Sequence, residues 1–243
     1  MKFVLAVVLL LLIQAANAEV DATSVDFKSQ TITIALTQEP PQLNGMKATD
    51  QVSITILGHV MEGLVRYDRR GNVVPGVAER WEIDDKSATF WLREDARWSD
   101  GSPVTAHDFV FAWQTGLAPT TASEYAFILY PVKNGEAINR GEMDPSQLGV
   151  FAEDDRTLRI EFARPTGYFV KLTAFISYFP VREKFFKLKG DRFAADATDL
   201  LYNGPFKLTE WTHSASLKMV KNDNYWDRDK VHLHVINADY ITA

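Results

Sequence analysis

The chain has 243 residues, 46% hydrophobic, 24% charged and 12% aromatic, an ordinary globular composition that excludes disordered and fibrous classes. A count of 26 Lys and Arg against 32 Asp and Glu gives a net charge of -6, which argues against the basic face that nucleic-acid binding requires. No cysteine occurs, so disulfides, thiolate metal sites, thiol catalysis and a lipid-modified N-terminal cysteine are excluded.

Residues 1–18 are expected to be an export signal. Lys2 supplies the positive start, residues 3–13 form an apolar run, and Ala16-Asn17-Ala18 offers the small-x-small pattern for cleavage between Ala18 and Glu19. The run falls short of the ~20 apolar residues of a membrane span, so no stable membrane insertion is expected after cleavage. An exported, cysteine-free protein fits a bacterial periplasm. Residues 31–37 alternate with period two and predict a strand with Ile32, Ile34 and Leu36 on one face, stopped by Glu39-Pro40-Pro41. Helical spacing of Ile56, Val60, Met61 and Leu64 predicts a helix over 52–64. A turn follows at 68–72, then a strand at 88–92 and a turn at 99–103 in which Gly101 supplies a positive φ. Thr105 and Asp108 make a capping box for a helix carrying Phe109, Trp113 and Leu117 on one face. A strand is predicted at 157–163, helices at 167–175 and 182–188, and strands at 206–211, 216–220 and 231–241. The tryptophans Trp81, Trp91, Trp98 and Trp113 are expected in a core. Segregated strands and helices make the class α+β.

Two stretches are more specific than pattern. One runs through Val77-Ala78-Glu79-Arg80-Trp81-Glu82, residues 88–101 ending Trp98-Ser99-Asp100-Gly101, and Pro103-Val104-Thr105-Ala106-His107-Asp108-Phe109. The other is Tyr202-Asn203-Gly204-Pro205-Phe206-Lys207-Leu208, then Trp211, then Asn222-Asp223-Asn224-Tyr225-Trp226-Asp227. Together they resemble the bacterial extracellular solute-binding proteins of family 5, with the oligopeptide-binding subgroup the nearest. Over essentially the whole mature chain, the resemblance implies a periplasmic-binding-protein type II-like lobe with an inserted α+β subdomain. Residues 19–50 and 164–243 would form the sheet subdomain of the first lobe and 51–163 the insertion. The C-terminal lobe would be missing, which leads to the expectation of a truncated carrier that clamps its ligand poorly.

The resemblance further implies a non-enzymatic, non-lipidated periplasmic carrier with no cofactor and no metal. It would bind an oligopeptide ligand by strand addition and deliver it to an inner-membrane ABC permease complex. By position, Asp50, Gln51 and Val52 correspond to the stretch that pairs with peptide backbone, and Tyr125 to a tyrosine facing the cleft. The same residues also read as a plain loop entering a helix and a half-buried core tyrosine. Pro40-Pro41-Gln42-Leu43-Asn44 departs from the Leu-Asp-Pro-His often seen in oligopeptide binders, so the entry to the pairing stretch is expected to differ. His232 and His234 would share one face of a strand, as a metal pair without a third ligand or as a solvent-facing edge. The alternatives are a half-length interaction or receptor-type relative, a binder of another small solute (murein peptide, nickel chelate or haem), and, ranked last, an exported hydrolase, for which no nucleophile–base pair is evident.

Overall fold

The computed structural model describes residues 24–241; the expected export signal and its Ala18–Glu19 cleavage point lie outside them. Among the described residues no helix is long and apolar enough to cross a membrane. In chain order the strands are β1 (Val25–Asp26), β2 (Thr31–Leu36), β3 (Val65–Tyr67), β4 (Val73–Pro75), β5 (Ala78–Ile83), β6 (Ser87–Leu92), β7 (Val150–Ala152), β8 (Thr157–Glu161), β9 (Phe206–Thr212), β10 (Ser216–Lys221) and β11 (Val235–Tyr240). The α-helices are α1 (Gln51–Val60), α2 (Ala106–Leu117), α3 (Gly135–Asn139), α4 (Phe169–Leu172) and α5 (Glu183–Lys189), with several 3-10 turns between them.

The fold is mixed α+β. A five-stranded sheet has the order β1-β2-β11-β10-β9, with β2 and β11 parallel and the other neighbours antiparallel. A four-stranded antiparallel sheet has the order β5-β6-β8-β7, and β3 and β4 pair separately. The first sheet draws its strands from outside residues 51–163 and the second from inside that interval.

Period-two alternation explains how the first sheet buries one face. In register, Ile32 of β2, Ile236 of β11, Met219 of β10 and Leu208 of β9 form one row across it. Helix α1 lies against β9 and buries Ile56, Leu57 and Val60. The second sheet buries Phe90, Leu158 and Ile160, and α2 lies on its β7–β8 side. At the start of α2 the Asp108 carboxylate accepts the Thr105 amide at 2.9 Å and the Trp98 indole N–H at 3.2 Å. One side chain thus caps the helix and anchors the preceding turn, in which Gly101 has φ +85. Trp113 is fully buried; its indole donates to the Tyr178 carbonyl at 3.0 Å and meets the Tyr178 ring edge-on at 5.0 Å. Burying a side chain of this size stabilises by roughly 1.5–3 kcal/mol. Trp98 is also fully buried, whereas Trp81 and Trp91 are only half-buried.

Three predicted elements need correction. Helix α1 ends at Val60, not at residue 64, because the Glu62 amide donates to the Asn203 side chain instead of a helical carbonyl. The expected helix over 167–175 shrinks to α4, after which a 3-10 turn forms at Ile176–Tyr178. The last strand begins at Val235, since residues 228–230 form a 3-10 turn and the His234 amide enters the sheet by donating to Gln30. His232 and His234 therefore precede the strand, both exposed, and do not share a strand face.

The junction behind α1 depends on a glycine. A Cβ on Gly204 would lie 2.6 Å from the Met61 nitrogen and from the Val60 carbonyl carbon, both backbone atoms. Gly204→Ala is expected to lower unfolding free energy by about 1–3 kcal/mol, since neither neighbour can swing aside. Gly58, exposed within α1 with nothing within 4 Å of its would-be Cβ, gives the contrast. There Gly58→Ala is expected to stabilise by roughly 0.5–1 kcal/mol. Urea unfolding of both variants checks the pair; two changes of the same sign would contradict it.

Candidate functional site

The loop from β2 to α1 is built from alternating commitments. Pro40, Leu43, Met46 and Ala48 are buried, while Pro41 and Lys47 are exposed. Asn44 organises a tight turn: its carbonyl accepts the amides of Lys47 at 2.9 Å and Ala48 at 2.8 Å, and its side chain accepts the Met46 amide at 3.0 Å. The chain then runs extended into α1.

The predicted residues lie at that entry. Asp50 is the N-cap of α1, its carboxylate accepting the Ser53 amide at 2.8 Å. Its charge thereby satisfies one of the free amides of the helix start. Gln51 is exposed and donates to the Thr55 hydroxyl at 3.3 Å, and Val52 packs half-buried against the core. Among the described residues, the backbone amides of Thr49 and Asp50 donate to no protein acceptor. Tyr125 belongs to the same place, since its hydroxyl donates to the Thr49 carbonyl at 3.4 Å. Its ring rests 6.0 Å from that of Phe175 and 5.9 Å from that of Phe127. The structure thus gathers Asp50, Gln51, Val52 and Tyr125 around one short extended strip, whose Thr49 and Asp50 amides have no protein acceptor among the described residues.

A cleft of about 850 Å³ adjoins the strip. Gln42, Asn44, Met46 and Lys47 line one wall, Thr115, Thr120 and Thr121 a second, and Gly190, Asp191 and Phe193 a third. None of the four predicted residues lines it; the connection is the loop that carries them. At its rim stands Glu39, which sequence pattern marks only as a strand stop. Its Oε1 accepts the Trp211 indole N–H at 2.9 Å and lies 2.6 Å from His213 Nδ1, and its Oε2 accepts the Ser214 amide at 2.9 Å. Burial pushes the Glu39 carboxyl up, but the bonds from His213, Ser214 and Trp211 outweigh it and hold it below the usual glutamate value. These partners lie 172 to 175 positions away, so no local signal could have exposed the role.

Glu62 is a second buried carboxylate that pattern did not single out. It accepts the Tyr225 hydroxyl and, at 2.7 Å, the Trp226 indole N–H. Burial pushes it up, against the pull of those donors and of the Arg66 and Arg93 guanidiniums. The Arg93 guanidinium lies 3.5 Å over the Trp226 ring. All of this is internal bracing. Among the described residues no group of three or more His, Asp or Glu is placed to hold a metal.

Comparison with known proteins accounts for this architecture. The profile of the bacterial extracellular solute-binding proteins, family 5 Middle, matches residues 72–243. The oligopeptide-binding protein OppA of Bacillus subtilis (strain 168) is 41% identical over 210 residues, which is 85% of this chain and 38% of the relative. The substrate-binding domain of an oligopeptide ABC transporter from Bacillus anthracis str. Ames is 47% identical with a TM-score of 0.85, covering 87% of this chain and 41% of that one. Listeria monocytogenes OppA bound to peptide is 39% identical with a TM-score of 0.85, covering 88% and 43%. The chain belongs to family 5 of the bacterial extracellular solute-binding proteins, a family of binding proteins, and it spans about two fifths of the length of these relatives.

The Glu39 cluster predicts a pH dependence. A carboxylate held below its unfolded value stabilises fully above the ordinary range and loses that contribution as pH falls through its folded value. At pH 7, Glu39→Gln is expected to destabilise by about 1–2 kcal/mol. The gap between wild type and variant should close as pH drops below about 4. Urea unfolding at a series of pH values measures it, and a gap independent of pH would remove the carboxylate charge from the explanation.

Proposed function

We propose that this chain forms the peptide-pairing lobe of a periplasmic oligopeptide-binding protein that serves an inner-membrane ABC permease. The observation that carries the reading is the strip at Thr49 and Asp50, two amides without protein acceptors among the described residues, beside a tethered tyrosine. Successive amides of an extended strip point to opposite sides, so a peptide pairing main chain to main chain along one side would accept from one of the two and add as a strand. Such bonds are common to all peptides, so they recruit without selecting sequence. The adjoining cleft has room for side chains, with water to adapt to each. The names of the relatives agree: two are oligopeptide-binding or oligopeptide-transporter proteins and one is a complex with peptide.

The same geometry explains why Asp50 would act indirectly. Its carboxylate is engaged by the Ser53 amide, so its contribution to ligand is to fix where α1 begins and how the two amides point. Tyr125 would brace the strip from the other side through the Thr49 carbonyl.

Titrating the full chain with tri-alanine, up to millimolar concentration, tests the reading by calorimetry and by amide hydrogen exchange. The expected result is binding together with slowed exchange at one of Thr49 and Asp50, because a peptide carbonyl protects the amide on its own side. Binding that leaves both amides unprotected would move the site elsewhere, and no binding of any tripeptide would defeat the peptide reading.

A further inference from the structure

We infer that Phe127 is a specificity-determining residue that favours peptides carrying an aromatic or large apolar side chain. The inference rests on the peptide reading of the strip.

Phe127 is a large apolar side chain left 56% exposed, and it is not loose. It sits in the 3-10 turn Ala126–Leu129, whose Ala126 and Leu129 are buried. The turn is pinned from below by the Tyr178 hydroxyl, which donates to the Ile128 carbonyl at 2.7 Å. The Ile128 amide donates in turn to the Tyr125 carbonyl at 3.0 Å. The Phe127 ring is thereby presented outward on a fixed base, edge-on to Tyr125 at an interplanar angle of 77°. Tyr125 continues the row to Phe175 and ends in its bond to Thr49. A single exposed aromatic is ordinary on a protein surface, as with Phe27 in the turn after β1, which is 82% exposed. An exposed ring that closes an aromatic row ending on the Thr49 carbonyl of the strip is a different arrangement.

The occupant that fits is a side chain of the peptide laid on that strip. An extended peptide advances ~3.3 Å per residue and points successive side chains to opposite faces. A side chain a few positions from the pairing point therefore comes within reach of the Phe127 ring. Contact between aromatic rings supports a preference of roughly three- to tenfold in affinity. Backbone pairing would then set whether a peptide binds, and Phe127 which peptides bind best.

The test compares tri-alanine with Phe-Ala-Ala, Ala-Phe-Ala and Ala-Ala-Phe by calorimetry on the full chain and on Phe127→Ser and Phe127→Leu. At least one phenylalanine peptide should bind the wild-type chain three- to tenfold more tightly than tri-alanine. Phe127→Ser should bring that ratio to about one, and Phe127→Leu should retain part of it. Equal affinities in the wild-type chain, or a preference that survives Phe127→Ser, would overturn the inference while peptide binding stands. If the wild-type chain bound none of the four peptides, the peptide reading itself would fail and take the inference with it.

Discussion

The pairing of Glu62 with Asn203 fixes most of what surrounds it. The Asn203 side chain accepts the Glu62 amide at 3.0 Å and donates to the Glu62 carbonyl at 2.9 Å, joining points 141 residues apart. The Gly204 amide then donates to the Val60 carbonyl at 3.0 Å, and the Asn222 side chain donates to the Gly204 carbonyl at 2.9 Å. Just beyond, the Val77 and Ala78 amides donate to the Gly63 and Leu64 carbonyls, so β5 sets out from the same knot that receives β9. A buried polar group left unpaired costs about 1–3 kcal/mol, which makes such a knot stable only when every member is satisfied. Here the Glu62 amide, carbonyl and both carboxylate oxygens each have a partner. The close approach this demands is what excludes a side chain at Gly204.

From that knot the position of the candidate site follows. The C-terminal end of α1 is held by Asn203 and Gly204, and its N-terminal end is defined by the Asp50 cap. The two unpaired amides at Thr49 and Asp50 are thus at the free end of a helix whose other end cannot move. Tyr125 reaches the Thr49 carbonyl through a turn tied to Tyr178, whose own carbonyl holds Trp113. Core aromatics, helix and strip form one continuous packing.

What the sequence made legible depended on whether the cause was local. Alternation in β2 and β8 and the Thr105–Asp108 cap of α2 are short-range effects, and they stand where pattern placed them. β5 was invisible as a strand because it is an edge whose Glu79, Arg80 and Glu82 face solvent, so it shows no apolar alternation. The end of α1 was misplaced because Asn203, far along the chain, decides it. Asp50, Gln51, Val52 and Tyr125 came from family resemblance and not from spacing. Glu39 came from neither, its partners lying on the opposite flank of the sequence.

Several residues that carry the family resemblance have their polar atoms engaged inside the fold. Trp98 is bound to Asp108, Asn203 to Glu62, Asn222 to Gly204, and Tyr225 and Trp226 to Glu62. These bonds hold the frame together. Under the proposed function, ligand choice would reside in what the frame leaves outward: the strip at Thr49 and Asp50, the cleft wall formed by the β2–α1 loop, and exposed side chains on rigid turns such as Phe127. A frame this strongly determined can keep its fold while those outward positions change, and under the proposed function one architecture would then offer the same backbone to different peptides and a different surface to their side chains.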